Sequence, residues 1–267
     1  MKTDKKRKGL FGRRITMTVL LALTALVGIS AATYAWFSIA DYTHVSTLRM
    51  DITSGAALRF DVTAHNEFGD YLQTLSFDRI ADYVRGQLGY DMRTAPLKPV
   101  TTADGQTYTL QSGTVEPNSS GAYWEFTLHF IATEDMYVHL TSAPSPGQDD
   151  GTRITSDRER LPESMRIAFT MDGKTMVYDP GMGNSTTNSG QVKNFGLPSA
   201  GNMVYNNSNM LFFIPEGEDK AVLVHIWMEG TDEACTNELK NSDFAIRMRF
   251  EGTDEEGNRI DGRTQSA

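Results

Sequence analysis

Only one cysteine, Cys235, occurs among the 267 residues of the chain. A lone thiol cannot close an intrachain disulfide, which excludes a small disulfide-stapled scaffold and leaves the fold to its hydrophobic core. Two interpretations of Cys235 stay open: a half-buried side chain at the end of a strand, which is favoured, and a thiol that pairs between chains. Because Cys235 lies in an acidic stretch, its pKa should be raised and its reactivity low.

Sequence motifs of catalysis are also missing. The five histidines form neither H-E-x-x-H nor H-x-H, and the chain has no G-x-S-x-G, P-loop or dinucleotide-binding fingerprint. His129 and His139 could meet across a predicted hairpin as a zinc pair, but two solvent-facing histidines are the favoured interpretation. We therefore expect no enzyme, no catalytic or metal-binding residue and no cofactor, although a site assembled only in space would leave no motif.

Positive charge is scarce outside the N-terminus. The chain has 25 basic and 34 acidic side chains, and residues 1–35 hold seven of the basic ones and one acid. Without that segment 18 basic and 33 acidic side chains remain, a net charge of about −15. Such an acidic domain should repel anionic lipid and should bind no nucleic acid through its phosphates.

The longest uncharged run extends from residue 15 to residue 40, directly after the basic residues 2–14. This order of a basic region, an apolar region and small residues is typical of an export signal. As a helix of about 39 Å the run could also stay as a single membrane anchor. The basic side predicts a cytoplasmic N-terminus, so residues 41–267 should form the extracellular domain.

The end of the apolar run fits a signal-peptidase site. Ala35 and Thr33 supply the small side chains that positions −1 and −3 require, for a cut before Trp36. Cuts after Ala32 and after Ala40 meet the same requirement and stay open.

Two motifs carry a resemblance to a known family. The junction TYAWFS at residues 33–38 and the ending HIWMEGTDEACTNELKNSDFAIRMRFEG at residues 225–252 are similar to those of Gram-positive surface proteins of the TasA/camelysin kind. They cover about an eighth of the chain. The resemblance implies export by a dedicated signal peptidase, SipW, and a surface protein that polymerises or decorates the cell envelope, such as a biofilm-matrix fibre subunit. It also implies a search for a metalloprotease site, since camelysin-type relatives have been described as proteases.

Alternation of apolar and polar residues dominates the chain after residue 46. The clearest example is FAIRMRFE at residues 244–251, which should place Ile246 and Phe250 inward, and the same pattern buries Phe126 and Leu128. The run KAVLVHIWM at residues 220–228 is nearly all apolar, as for a strand covered on both faces, and should bury Trp227. These patterns predict an all-β, mainly antiparallel β-sandwich of at least eight strands, with jelly-roll connectivity by analogy with the family.

Other segments interrupt the strands. Residues 76–88 have helical spacing and predict one short helix that Gly89 could end. Residues 124–130 and 136–140 could pair as a hairpin, and Asp172-Gly173 should turn the next strand back on itself. Long loops are expected at about 143–164 and 179–209. The acidic turns Glu229–Asp232 and Glu251–Asp254 are expected to be solvated, with calcium as an open alternative.

Taken together, the patterns favour an exported structural or adhesive surface protein. If cleavage precedes Trp36, then Trp36, Phe37 and Ile39 become exposed, and residues 36–45 are predicted to act as a donor strand for a neighbouring copy. The expected partners are other copies of the chain or the cell envelope, and the membrane before processing. The alternative is a carbohydrate- or ligand-binding module with Tyr205 and Phe195 as an aromatic platform, and a metalloprotease is less favoured.

Overall fold

The computed structural model describes residues 17–22, 24, 44–52, 57–142, 151–181, 191–198 and 201–260, with only the backbone for residues 44–52. In chain order, the strands are β1 (His44–Ile52), β2 (Leu58–Asp61), β3 (Thr74–Ser76), β4 (Pro99–Val100), β5 (Trp124–Ala132), β6 (Met136–Leu140), β7 (Arg153–Ser156), β8 (Met165–Met171), β9 (Lys174–Tyr178), β10 (Val192–Phe195), β11 (Met210–Ile214), β12 (Lys220–Glu229) and β13 (Asp243–Thr253). The helices between them are α1 (Phe77–Leu88) and α2 (Leu161–Ser164).

The strands form two sheets that share one core. The first has six strands in the order β11-β6-β13-β1-β3, with β7 also on β13. The second has seven strands in the order β10-β9-β8-β12-β5-β2, with β4 also on β12. Aromatic side chains join the sheets face to face: Phe250 of the first sheet packs edge-on against Phe169 of the second, with ring centroids 5.9 Å apart. The prediction of a mostly β, two-sheet fold is confirmed.

Alternation sets the inner faces of the strands, as predicted. Along β13, Phe244, Ile246, Met248 and Phe250 are buried and the residues between them are less so, because successive side chains of a strand point to opposite faces. Along β5, Phe126 and Leu128 are buried in the same way. The core positions chosen from the sequence are therefore correct.

Both faces of β12 are covered, also as predicted. Its outer face carries Trp227 into a second, smaller core formed with residues of the chain between β4 and β5, including Tyr108 and Tyr123. The rings of Tyr108 and Tyr123 stack with centroids 4.1 Å apart. This outer layer explains why the β12 sequence is nearly all apolar rather than alternating.

Two local predictions are confirmed in detail. Helix α1 begins after Ser76, whose side chain accepts a hydrogen bond from the backbone of Arg79, and it ends at Gly89 with φ of 81°. The β8–β9 hairpin turns at Asp172 and Gly173, with φ of 50° and 73°. Two consecutive positive φ values are those of a type I′ turn, which matches the twist of the flanking strands.

The hairpin predicted from β5 and β6 is wrong. These strands lie in opposite sheets: β5 pairs with β12 and β2, and β6 pairs with β13 and β11. The turn between them therefore crosses from one layer of the sandwich to the other. His129 and His139 do not meet, and β12 and β13 also belong to different sheets.

The two long loops hold more regular structure than expected. Strand β7 and helix α2 lie inside residues 143–164, and β10 lies inside residues 179–209. Strand β10 pairs with β9 in parallel, and parallel pairs also join β1 to β13 and β4 to β12. The sheets are thus mainly, but not wholly, antiparallel.

The N-terminal predictions fall largely outside the described residues. Residues 17–22 and 24 are helical. Within the described part of the chain, no helix is both long and apolar enough to cross a membrane. The predicted processing residues Thr33, Ala35 and Trp36, and the donor-strand residues Phe37 and Ile39, lie outside the described residues. The last two residues of the predicted donor strand, His44 and Val45, begin β1 and pair with β13 of their own chain.

Candidate functional site

An open strand edge borders a series of surface clefts. Strand β11 ends the first sheet and pairs with β6 alone among the described strands. Its sequence, MLFFI, contains no charge, and the next residue is Pro215. Phe213 is 39% exposed, whereas Leu211, Phe212 and Ile214 are buried. An apolar edge strand presents unpaired backbone groups and is a template for pairing with another strand.

Three clefts follow one another along β11, and Met210 lines all of them. Their volumes are about 270, 410 and 380 Å³. The first is bounded by Asn206 and by the turn after β13, the middle one by β9 and β10, and the last by the β8–β9 turn and the start of β12. We call these three adjoining clefts together the β11 groove. Its lining residues are Tyr137, His139, Met171, Asp172, 174–176, 191–194, 205–207, 210–213, Pro215, 218–220, 253–255 and Gly257.

The middle of the groove carries two lysines on its inner wall. In the β9–β10 pair, Lys193 lies opposite Met176, so both side chains are on the same face of the sheet, and Lys174 shares that face two residues earlier. Met176 belongs to the main core, so this face is turned towards the first sheet. The Lys193 ammonium donates a hydrogen bond to the carbonyl oxygen of Asn207 at 3.3 Å. Neither lysine forms an ion pair with a carboxylate of the described residues.

The polar end of the groove is built around His139. Its Nδ1 lies 2.9 Å from Oδ1 of Asn209, and its Nε2 lies 3.0 Å from the hydroxyl of Thr253. Oδ1 of Asn209 also accepts the backbone N–H of Asn206, while its amide nitrogen donates to the carbonyl of Val204. Nδ1 of His139 therefore donates, and Nε2 accepts from Thr253. Burial lowers the pKa of His139, against the hydrogen bonds from Asn209 that would raise it, so the ring is neutral near pH 7.

This chain of Thr253, His139 and Asn209 has the order of a nucleophile, a base and an orienting residue. Both side chains that would face a substrate are buried, Thr253 at 0% exposure and His139 at 2%. A substrate carbonyl could not reach the hydroxyl without opening the fold. The arrangement instead fastens β6, β13 and the start of β11 to one another.

The two candidate aromatic-platform residues are not on the surface. Tyr205 is 8% exposed and Phe195 is 5% exposed. The hydroxyl of Tyr205 contacts Thr141 at 2.6 Å and donates to Glu251 at 3.3 Å, and Glu251 also pairs with Arg259. Burial raises the pKa of Tyr205. Tyr205 therefore belongs to a buried polar cluster. Neither Tyr205 nor Phe195 presents the exposed aromatic face that the carbohydrate-binding alternative requires.

The first acidic turn is buried and internally paired, which corrects the expectation of a solvated turn, whereas the second is partly exposed at Asp254. In the first, Asp232 binds Arg166 at 2.5 Å, and Arg166 also pairs with Asp179 at 3.2 Å. Glu229 accepts hydrogen bonds from the indole of Trp227 and from Thr231. In the second turn, Asp254 accepts from the backbone and the side chain of Asn258. Each carboxylate is thus used by the protein itself.

Cys235 lies beside the first turn and is partly buried. Burial raises the pKa of its thiol to about 12, and the negative charges of Glu229 and Asp232 add to the effect. The expectation of a weakly reactive thiol is consistent with this environment.

Three further histidines each contact one carboxylate. His129 lies 2.8 Å from Asp219, His225 lies 2.8 Å from Glu125, and His65 lies 2.8 Å from Asp61. Among the residues that the structure describes, no three or more His, Cys, Asp or Glu side chains are grouped so as to hold a metal ion.

Sequence reasoning missed the β11 groove. The signal available was MLFFI, five apolar residues with no charge between an Asn-rich stretch and Pro215. Its length fits an edge strand, but the run lacks the alternation by which the other strands were found.

The geometry defines the class of protein as a two-sheet β-sandwich with an open apolar edge and no metal-holding group in its described part. Comparisons with known proteins add no family: no protein-family model, no curated protein and no solved structure matches the chain.

Proposed function

We propose that this chain is an exported structural subunit of a Gram-positive cell surface, of the TasA/camelysin kind, and that copies assemble when residues 36–43 of one bind the β11 groove of the next. Residues 1–40 direct export, and cleavage before Trp36 releases the assembling segment. The sandwich has jelly-roll-like connectivity in this proposal, and assembled copies form fibres at the cell surface.

The observation that carries the proposal is the unpaired apolar edge of β11. Strand edges in monomeric proteins are usually blocked by charges, proline or bulges. MLFFI contains neither charge nor proline. Its one irregularity is a register shift between Met210 and Phe212 in its pairing with β6. An added strand would gain backbone hydrogen bonds along β11 and pockets for alternate side chains.

The donor segment fits such a groove in its chemistry. Residues 36–43 read WFSIADYT, with Trp36, Phe37 and Ile39 as large apolar groups. Cleavage would leave them in water, where they are an association liability. The walls of the groove include Met176, Met210 and Leu211, which offer an apolar surface to them.

The donor segment of one copy cannot fill the groove of the same copy, because the two lie too far apart. In the first sheet, His44 pairs with Asp243 of β13. Met210 pairs with His139 of β6, which in turn pairs with Glu251 of β13, eight residues further along that strand. Eight residues along β13 and three strand spacings across the sheet place His44 about 30 Å from Met210. Eight extended residues span at most about 29 Å, which leaves none to lie in the groove.

The separation makes the contact head-to-tail. A donor at one end of the sheet and an acceptor at the other form a heterologous interface, and such interfaces produce open filaments unless a rotation closes them into a ring.

The test compares purified fragments 36–267 and 44–267 by light scattering at equal concentration. The shorter fragment keeps all of β1, unlike one that begins at residue 46, which would remove His44 and Val45 from their pairing with β13. We expect the longer fragment to form species larger than a monomer and the shorter one to stay monomeric. Equal assembly by the two fragments would overturn the proposal.

A further inference from the structure

The β11 groove has an uneven distribution of charge along its length. Its first cleft contains Asp254 and Glu255. Its last contains Asp172, Glu218 and Asp219 together with Lys174 and Lys220, so its acidic side chains outnumber its basic ones by one. Its middle cleft contains Lys174 and Lys193 and no acidic residue among its lining. In a chain with a formal net charge of −9, this is a local basic site between two acidic ones.

The two lysines disfavour a purely apolar occupant. Both lie on the face of β9–β10 that is turned towards the first sheet, as the register with Met176 shows. A strand placed in the groove would cover them and remove water from their ammonium groups, which is unfavourable unless the occupant supplies a negative charge. Inward-pointing charges of this kind exclude unrelated apolar strands from an edge.

We infer that Lys174 and Lys193 bind the carboxylate of Asp41 from the incoming segment and thereby fix its register in the groove. The inference rests on the proposed function. Asp41 is the one charged residue among residues 36–43. It shares a strand face with Phe37 and Ile39, because alternate residues point the same way.

This pairing places the apolar side chains as well as the charge. With Asp41 at the lysines, Ile39 lies about 7 Å along the groove and Phe37 about 13 Å along it. A shift that moves Asp41 into the first cleft brings it close to Asp254 and Glu255, where like charges repel. A shift into the last cleft brings it close to Glu218 and Asp219 and to Lys220, which already pairs with Asp172. Of the three clefts, the middle one favours the carboxylate most, because it contains basic side chains and no acidic one.

The test uses a labelled synthetic peptide of residues 36–43, WFSIADYT, and the fragment 44–267, which lacks its own donor segment and keeps the whole described sandwich. Binding is measured by fluorescence anisotropy at low and moderate salt. The peptide variants are Asp41→Asn and Asp41→Lys. The acceptor variants are the pair Lys174→Glu with Lys193→Glu, and a control pair Lys98→Glu with Lys240→Glu, which makes the same change in net charge outside the groove.

We expect Asp41→Lys to weaken binding of the peptide to the wild-type fragment about tenfold. The double variant Lys174→Glu with Lys193→Glu, called the groove pair, should weaken binding of the wild-type peptide to a similar extent. The groove pair should restore binding of the Asp41→Lys peptide to within about threefold of the wild-type combination, since the charges are then exchanged. The control pair should change binding by less than about threefold, and added salt should weaken the wild-type combination more than the Asp41→Asn one. Thermal unfolding followed by circular dichroism confirms that each acceptor variant is folded.

Two failures can be told apart. If the wild-type peptide does not bind fragment 44–267, docking in the groove is wrong, and both the proposed assembly and the inference fail. If the wild-type and Asp41→Lys peptides bind equally, or if the groove pair does not restore binding of the Asp41→Lys peptide, the two lysines do not bind Asp41. Docking of the segment in the groove would then still stand.

Discussion

His139 and Asn209 fasten the open edge strand to the body of the sandwich. Nδ1 of His139, in the middle of the first sheet, donates to Oδ1 of Asn209 at 2.9 Å, one residue before β11 begins. The same Asn209 oxygen accepts the backbone N–H of Asn206, which closes the turn that leads into the strand. The position of the candidate acceptor edge therefore depends on a buried, neutral imidazole.

This dependence predicts a loss of stability in mild acid. Because burial lowers the pKa of His139 in the folded state, the unfolded chain binds a proton more readily below its ordinary value of 6.5. The contribution to the free energy of unfolding is complete above about pH 6.5 and falls by up to about 1.4 kcal/mol per pH unit below it. Urea unfolding between pH 5 and 7.5 measures this slope. His139→Gln can keep both hydrogen bonds but cannot take up a proton, so it should flatten the slope; an unchanged slope would contradict the assignment.

The buried ion pairs of Arg166 predict a large effect of removing one partner. The side chain of Arg166 is 0% exposed and lies between Asp179 and Asp232, which are 5% and 6% exposed. Arg166→Met should destabilise the fold by about 3–5 kcal/mol, because it leaves carboxylates buried without their cation. The matched control is Arg158→Met. Arg158 pairs with Asp157, and both side chains are more than half exposed, so this change should lower the free energy of unfolding by less than about 1 kcal/mol. Chemical denaturation compares the two, and similar losses would refute the difference in burial.

Core packing predicts that Phe250 is among the most sensitive positions. Its ring meets Phe60, Phe130 and Phe169 with centroids 6.0, 5.1 and 5.9 Å away. Phe250→Ala should lower the free energy of unfolding by about 3–5 kcal/mol through lost transfer energy and a residual cavity. Phe213→Ala, on the partly exposed side of β11, is the control and should lower it by about 1 kcal/mol or less. A small effect at Phe250 would reject the strand phase assigned to β13.

A charge on the open edge should prevent assembly without unfolding the protein. Phe213 is exposed on β11, so Phe213→Lys is tolerated by the fold but places an ammonium group where the added strand would lie. In the fragment 36–267, we expect this variant to stay monomeric in light scattering. Val115→Lys adds the same charge at a residue that is 58% exposed outside the groove and should assemble like the unchanged fragment. Assembly by both variants would show that β11 is not the acceptor.

Much of the local structure could be predicted from the sequence. The alternation of β13 and β5, the cap at Ser76 with Gly89 at the end of α1, and the turn at Asp172 and Gly173 are all decided by residues close together in the chain. Strand phase follows from burying every second side chain, and caps and tight turns follow from which residues tolerate their backbone angles.

Strand pairing could not be predicted in the same way. Strands β5 and β6 have the alternation and the short polar connection of a hairpin, yet they lie in opposite sheets. A hairpin turn and a turn that crosses between layers look alike in sequence, because each requires only a few polar residues between two apolar patterns. The short strands β7 and β10 were not predicted for a related reason: four residues are too few to show an alternation of apolar and polar side chains.

The sequence by itself determined the export-like N-terminus, the acidic character of the remaining chain, the predominance of strands and the identity of the core residues. These are properties of composition and of contacts between near neighbours. Only the tertiary structure decided that β11 pairs with β6 alone among the described strands, that β1 begins about 30 Å from Met210, and that Lys174 and Lys193 line the inner wall of the groove. Each of these depends on which distant strands pair and in which register, and a shift of one residue in the pairing of β9 with β10 would turn Lys193 to the opposite face.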